Sequence, residues 1–255
     1  MSFPWIRTAA ATLLVTVAAA GCASDADSAI ESPPTTAKTT AAPATTPAPA
    51  GVTGLDAEAI FAKTKAAAYA ADSVRLRGSF VDSGETTVID VHLTKTGGQG
   101  TFTVDGKPLS ITVIGKVVYL QLSEKFIRAE GKANKDSAAD INATVRVLKG
   151  KWIKLSKPGG DFDDLIRLTT RDSFFADILR PGGSLTKTPE KTVDGVPAIG
   201  LSDGEGTLWV DTRTARPVRL ESTSDGPLRF SDYNRLKAPK VPPAASTLDG
   251  RQFGL

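Results

Sequence analysis

The chain has 255 residues and carries 31 Lys and Arg against 28 Asp and Glu, which leaves a formal net charge of +3. Charges of both signs are interspersed, whereas a nucleic-acid-binding protein would concentrate its positive charge, so no nucleic-acid partner is expected. The sequence has one cysteine, Cys22, and one histidine, His92. This composition excludes intrachain disulfides and metal sites built from several Cys or His ligands.

The N-terminus has the three parts of a secretory signal. Arg7 supplies a positive region, and residues 8–20 form an apolar run that is too short to span a bilayer comfortably. The following Ala-Ala-Gly-Cys at 19–22 resembles the bacterial lipobox, although Ala stands where Leu is usual. We therefore predict a signal peptide over 1–21, a lipid on Cys22 and a location on the extracytoplasmic face of the cell membrane. An ordinary signal peptide that is cut elsewhere and leaves a free thiol is the alternative.

Residues 22–54 are rich in Ala, Thr, Pro and Ser and contain almost no large apolar side chain. Such a segment buries too little surface to offset its chain entropy, and its prolines favour an extended conformation. We predict that it is a disordered tether for one folded domain over residues 55–240. Residues 241–255 are predicted to form a C-terminal tail.

The predicted domain begins with a helix over about 56–71, in which small apolar residues recur at helical spacing. The period then changes to two, because apolar and polar residues alternate over 74–80 and again over 89–93. Short strands separated by glycine-containing turns continue to residue 122. This part of the chain is predicted to form consecutive hairpins.

The middle of the chain is predicted to be mainly helical. Residues 124–136 are interpreted as a polar connection, followed by a short helix near 138–148 and a strand at 152–155. Residues 161–179 have the pattern of two helical pieces, and the Pro-Gly-Gly at 181–183 ends them. A second series of strands is predicted between 185 and 233.

About eleven strands against four or five short helices predict an α+β fold with a large antiparallel sheet. Strands ~4.8 Å apart would make a flat sheet ~50 Å wide, of which one helix covers only ~10 Å. Because one face of the strands is apolar, we expect the sheet to curl around its helices as a half-barrel. The Ala-rich helix fills little space, which predicts an apolar hollow. The residues predicted to line this cavity are Leu76, Gly78, Phe80, Ile111, Val113, Phe174 and Phe175.

The polar residues show no catalytic pattern. His92 lies on the polar side of its strand beside Asp90, without a nucleophile motif. Asp161, Asp163 and Asp164 lack the spacing of an EF-hand and are more typical of acids at a helix N-terminus. We therefore expect neither an enzyme nor a metal or cofactor. Phenylalanines such as those at 174 and 175 are also typical of an ordinary packed core.

Several short motifs, taken in order, resemble the actinobacterial lipoprotein family typified by LppX, LprG, LprA and LprF. After the lipobox and the Ala-rich helix, the matching segments are SVRLRG at 73–78, VDGVPA at 193–198, LWV at 208–210, PVRL at 217–220 and FSDY at 230–233. The resemblance covers about residues 55–240 of the sequence.

This resemblance implies a half-barrel fold shared with the Lol-type lipoprotein carriers, and a cavity that holds the acyl chains of an amphiphile during transport across the envelope. It implies a lipid or lipid-like ligand and a transporter as partners, for a chain expected to be monomeric. The family has no catalytic motif, and its ligand contacts vary too much to be transferred. The alternative is an envelope sensor or protein-interaction scaffold that uses the same fold without carrying cargo.

Overall fold

The computed structural model describes residues 51–82, 84–155, 162–223 and 225–253. The predicted signal peptide, Cys22, nearly all of the predicted tether and Asp161 lie outside these ranges, so the lipid anchor stays a prediction. Among the described residues, no helix combines the length and the apolar character that crossing a bilayer requires.

The first helix, α1 (Ala57–Ala70), confirms the prediction of a small-sided N-terminal helix. Asp56 caps it, because the carboxylate accepts a hydrogen bond from the amide of Ala59 at 2.7 Å. Ile60, Thr64 and Ala68 form its buried face, and the Thr64 hydroxyl donates to the Ile60 carbonyl at 2.8 Å. The small side chains allow this helix to lie close to the sheet.

Two antiparallel meanders make up most of the sheet. The first contains β1 (Ser73–Asp82), β2 (Glu85–Thr94), β3 (Gly97–Val104), β4 (Lys107–Ile114) and β5 (Val117–Leu122). The second contains β7 (Thr186–Val193), β8 (Val196–Ser202), β9 (Gly206–Asp211), β10 (Pro217–Ser222) and β11 (Leu228–Ser231). Pairing of β1 with β11 joins the two meanders into one sheet.

The segment between the meanders contains α2 (Glu124–Ala133), α3 (Ala138–Leu148), β6 (Trp152–Lys154), α4 (Asp163–Leu168) and α5 (Arg171–Ile178). The interpretation of 124–136 as a polar connection was wrong. Ser123 caps α2 by accepting from the amide of Phe126 at 3.1 Å, and only a narrow face at Ile127 and Gly131 is buried. A helix with so few buried residues reads as polar in sequence.

A twelfth strand, β12 (Thr247–Asp249), comes from residues predicted to be a tail and pairs with β6 in parallel. The strands form one curved sheet in the order β12-β6-β5-β4-β3-β2-β1-β11-β10-β9-β8-β7. The sheet is therefore mixed, with antiparallel pairing elsewhere in the described part of the chain. At the other end of the domain, Val52 is buried and its amide donates to the Thr212 carbonyl at 2.8 Å.

The main core lies between the helices and one face of this sheet, which we call the inner face. The alternation predicted from sequence directs Leu76, Phe80, Ile111 and Val113 to the inner face, where all four are buried. Arg75, Arg77, Asp90 and His92 therefore lie on the other face, called the outer face. A second, smaller cluster of Val193, Ala198, Trp209 and Val218 covers part of that outer face.

Candidate ligand-binding cavity

An apolar cavity of ≈ 50 Å³ lies on the inner face, between the sheet and the helices α4 and α5. Strands β1, β2, β10 and β11 form its floor, and the two short helices cover it. Its lining residues are Ser79, Phe80, Ile89, Leu168, Phe174, Ile178, Leu220, Ser222, Asp225, Gly226 and Leu228. The cavity is therefore placed at the junction between the two meanders.

Aromatic packing fixes the helical wall of the cavity. The ring of Phe174 lies 6.3 Å from that of Phe230 on β11 and 5.7 Å from that of Phe175, between centroids. Phe175 in turn meets Tyr69 of α1 edge-on, with 5.8 Å between centroids. Tilted and edge-on arrangements are favourable aromatic geometries. This chain of rings connects the sheet, α5 and α1.

Two arginines hold α4 and α5 in place over the cavity. Arg171 Nη1 donates to the carbonyl of Ala71, at the end of α1, at 2.6 Å. Arg167 of α4 makes a forked ion pair with Asp177 of α5, with Nη2–Oδ1 at 2.6 Å, and this raises the pKa of the guanidinium. The two helices thus form one hairpin, which contacts α1 through this hydrogen bond and through the packing of Phe175 against Tyr69.

Polar groups gather at one part of the cavity wall. Asp225 accepts from the amide of Val81 at 3.1 Å and from the hydroxyl of Ser222 at 3.4 Å. Ser79 lies beside Gly226 of the same turn, because a Cβ at that glycine would touch the Ser79 hydroxyl. The surface that faces the cavity is nonetheless almost entirely apolar, so these polar groups lie beside the cavity and expose little polar surface to it.

The structure separates the predicted cavity residues into three groups. Phe80 and Phe174 line the cavity. Four others are buried in the same core but do not line it: Leu76, Ile111, Val113 and Phe175. Gly78 does not open a gap as expected, because a Cβ there would lie 2.5 Å from the carbonyl oxygen of Pro227. The backbone of the β10–β11 connection occupies that space.

Sequence reasoning did not assign the other lining residues to the cavity. Ile89, Leu220 and Leu228 are inward-facing positions of strands, and Leu168 and Ile178 belong to recognised helical patterns. Their types were therefore visible in the sequence, but their meeting depends on the pairing of β1 with β11. For Ser79, Ser222 and Asp225, the sequence gave no indication of a place in the cavity wall apart from the turn composition around 225–227.

The enclosed volume limits what the cavity holds in this conformation. Pockets for small molecules commonly occupy about 300–1,000 Å³, and the ≈ 50 Å³ found here is far below that range. An acyl chain therefore does not fit this cavity unless the elements around it move apart.

The predicted polar pair on the outer face has structural partners. Arg75 binds the Asp90 carboxylate through Nε at 2.8 Å and Nη2 at 2.7 Å, which holds the pKa of Asp90 below its ordinary value. His92 Nε2 lies 3.8 Å from Asp90 Oδ1. Burial, followed by the nearby Arg75 charge, lowers the pKa of His92, so the ring is neutral at pH 7. Among the described residues, no cluster of three or more His, Cys, Asp or Glu could hold a metal ion.

Comparison with family profiles gives no match, and comparison with curated protein sequences gives no significant match. Solved structures similar to this chain include LprF from Mycobacterium bovis, at 14% identity and a TM-score of 0.45, covering 72% of this chain and 96% of that one. The Mycobacterium tuberculosis lipoprotein LppX is similar at 15% identity and a TM-score of 0.40, and the match covers 71% of this chain and 97% of LppX. An uncharacterized conserved protein from Thermus thermophilus follows, at 12% identity and a TM-score of 0.36, with 76% and 98% covered.

The strand order and the packing of this chain itself define its fold class, a curved sheet wrapped around short helices. LppX and LprF belong to the group that the sequence motifs resemble. At 14% and 15% identity the similarity concerns the fold, and it transfers no ligand or binding residue to this chain.

Proposed function

We propose that this protein is an exported, lipid-anchored component of the cell envelope that binds the apolar chain of an amphiphile between its sheet and the α4–α5 hairpin. Binding, rather than catalysis, is the role of the site. The anchor is the lipid on Cys22, at the end of a short apolar signal. Transport of the amphiphile across the envelope is the process that such a site would serve.

The observation that carries this proposal is the apolar cavity under the hairpin. An apolar chain would gain about 0.8 kcal/mol for each CH₂ group removed from water. The polar end of the same molecule would meet Ser79, Ser222 and Asp225, which lie together at the β10–β11 connection. A cavity surface that is almost entirely apolar suits a hydrocarbon chain better than a wholly polar ligand.

Chain entry requires the hairpin to separate from the sheet. The contacts that must open include the hydrogen bond from Arg171 to the Ala71 carbonyl and the ring contacts of Phe174 and Phe175. They also include the close approach of the Thr169 carbonyl to Gly98 of β3. The forked Arg167–Asp177 pair lies within the hairpin, so the two helices would move as a unit. Energy gained from the buried chain would offset the lost aromatic contacts.

The small closed volume supports a second candidate function, in which the protein acts as an envelope sensor or protein-interaction scaffold without cargo. A free volume of ≈ 50 Å³ leaves little space for cargo between the sheet and the helices. The two functions differ in what the purified protein contains. A carrier retains lipid in stoichiometric amounts, and a scaffold retains none.

The decisive experiment is organic extraction and mass spectrometry of the chain from Ala23 onward, secreted from an actinobacterial host. We expect lipid in amounts comparable to the protein. The matched variant is Phe174→Trp, which adds bulk to the cavity wall and should lower the lipid content. A protein that is folded, active in partner binding and free of lipid would overturn the carrier function in favour of the scaffold.

A further inference from the structure

Three arginines stand side by side on the outer face of the sheet. Arg77 of β1 is in register with Arg229 of β11, and Arg229 is in register with Arg219 of β10. Directly opposite residues of antiparallel strands have Cβ atoms only about 4.5–5.5 Å apart. The three guanidinium groups therefore form a row across the junction of the two meanders, on the face opposite the apolar cavity.

Such a row is unfavourable for folding by itself, because like charges directly opposite each other destabilise a sheet. Three carboxylates reduce this cost. Glu221 accepts a hydrogen bond from Arg219 Nη1 at 3.1 Å, and the other two are Asp194 and Asp90. Asp194 forms a bidentate pair with Arg219, which lowers the pKa of that carboxyl, and Asp90 is held chiefly by Arg75. Asp194 therefore binds Arg219 more closely than it binds Arg229. In the same way, Asp90 binds Arg75 more closely than it binds Arg77. Arg229 and Arg77 are the two exposed arginines of the row.

Arg77 and Arg229 are left with unused hydrogen-bond donors. Arg77 reaches Asp90 only through Nε, at 3.1 Å, and Arg229 approaches Asp194 only through Nε, at 3.4 Å. Their side chains are 54% and 50% exposed. Within the described part of the chain, no hydrogen bond occupies the Nη groups of either residue. Two adjacent guanidinium groups therefore present free N–H donors to solvent.

A groove of ≈ 500 Å³ lies over these donors and is also lined by Arg216 and Arg235. Arg216 stacks over the ring of Tyr233, with 5.1 Å from Cζ to the centroid, and neither Arg216 nor Arg235 forms an ion pair within the described ranges. The carboxylate of Asp211, also in the lining, is occupied by its own turn, since it accepts from the Thr214 hydroxyl at 2.8 Å. Asp232, the third acid of the lining, accepts from the Ser231 hydroxyl at 3.2 Å.

We propose that this outer groove is a binding site for a phosphate ester, held between Arg77 and Arg229. Planar guanidinium groups bind phosphate through paired N–H donors, and an anion between them would also remove the repulsion within the row. The site lies on the face opposite the cavity and is independent of lipid binding there. The phosphate could belong to a soluble ester or to the headgroup of a phospholipid.

The test uses the full chain in a nonionic detergent, with glycerol 3-phosphate as the soluble probe and phosphatidylglycerol added to the micelles as the lipid probe. Sodium chloride at matched ionic strength and phosphatidylcholine micelles are the respective controls. Titration calorimetry measures affinity and thermal unfolding measures the midpoint. We expect one probe to bind and to raise the midpoint beyond its control.

Arg229→Gln distinguishes a ligand site from a structural ion pair. It should reduce affinity for the binding probe about tenfold or more, the factor for losing one charged hydrogen bond. The thermal midpoint of the free protein should stay constant or rise, because a repulsive neighbour has been removed. The matched control Arg146→Gln, on α3, removes the same charge and should leave the affinity unchanged.

Binding of glycerol 3-phosphate that is lost in Arg229→Gln supports the site with a soluble ester, and binding of phosphatidylglycerol alone, lost in the same variant, supports it with a phospholipid. The proposal would be overturned if each probe and its control gave the same binding signal and the same shift in midpoint. It would also be overturned if Arg229→Gln and Arg146→Gln lowered the affinity for the probe equally. A lowered midpoint with unchanged affinity in Arg229→Gln would make the row a structural network and would also overturn it.

Discussion

The carbonyl oxygen of Pro227 lies directly over Gly78, so close that a Cβ on residue 78 would be 2.5 Å from it and 3.0 Å from the Leu228 Cα. This approach lets the β10–β11 connection cross the inner face of β1 and close one side of the cavity. A glycine is required here by the proximity of another backbone, and its φ is not in the left-handed region.

Gly78→Ala is expected to destabilise the protein. The added methyl meets backbone atoms rather than a flexible side chain, so relief requires movement of the Pro227–Leu228 segment, at a cost of about 1–3 kcal/mol as for other overpacked sites. Chemical denaturation gives the change in the free energy of unfolding. Gly54→Ala is the control, because no atom lies within 4 Å of a Cβ at that position. Equal stability of the two variants would contradict the close contact.

The same substitution, Leu to Phe, at two buried positions tests whether the cavity contains free volume. Leu220→Phe places a larger side chain at a cavity-lining position, where free volume can accept it, so we expect a small change in thermal midpoint and lower lipid content. Leu76→Phe makes the same change at a fully buried strand position that does not line the cavity, where overpacking costs about 1–3 kcal/mol. A larger loss of stability in Leu220→Phe than in Leu76→Phe would contradict the cavity.

The ion pair of Asp90 predicts a dependence of stability on pH. Hydrogen bonds from Arg75 lower the pKa of Asp90 in the folded state below the ordinary 3.8. The folded state therefore binds the proton less readily, and this contribution is present above the ordinary pKa and is lost as the pH falls through the folded pKa. Solvent screening at the partly exposed carboxylate limits its size.

Urea unfolding of the protein and of Asp90→Asn, over a series of acidic pH values, measures this effect. We expect the variant to be less stable near neutral pH and the difference to shrink as the pH falls below 3.8. A difference that stays constant over this interval would show that Asp90 acts through packing or hydrogen bonding alone.

The lipid anchor predicts the behaviour of Cys22→Ser. Without the thiol no lipid can be attached, so the variant should leave the membrane fraction or accumulate as uncleaved precursor. Metabolic labelling with palmitate and fractionation of cells measure both outcomes. Ser24→Ala, two residues further along the chain, should be labelled and anchored normally. Failure of the unchanged protein to incorporate palmitate would contradict the anchor.

The individual elements could largely be predicted from local pattern. Alternation over 74–80 predicted β1 and its inner face, and the Asp56 cap with the small-sided stripe predicted α1. Helix α2 was missed because its buried face consists of little more than Ile127 and Gly131. Its local signals were Ser123, a favoured N-cap residue three positions before Phe126, with Glu124 in the first turn and Lys132 in the last.

The cavity could be predicted only as a property of the inner face. Phe80 and Phe174 were recognised as apolar positions on separate elements, but Leu76 and Ile111 have the same pattern and lie in the packed core. Side-chain type and period determine which face a residue occupies. They do not determine which buried positions remain next to free volume, since that depends on how neighbouring elements are placed.

The sequence by itself determined the class of fold and the two faces of the strands, because these follow from hydrophobic periodicity and turn residues within short segments; the export signal at the N-terminus stays a prediction. Only the tertiary structure decided that β11 pairs with β1 and that β12 pairs with β6. Those pairings join residues far apart in the chain, and they bring Pro227 over Gly78 and Arg229 beside Arg77. Register between distant strands is a long-range property, so no local pattern could have revealed either the filled gap on the inner face or the arginine row on the outer one.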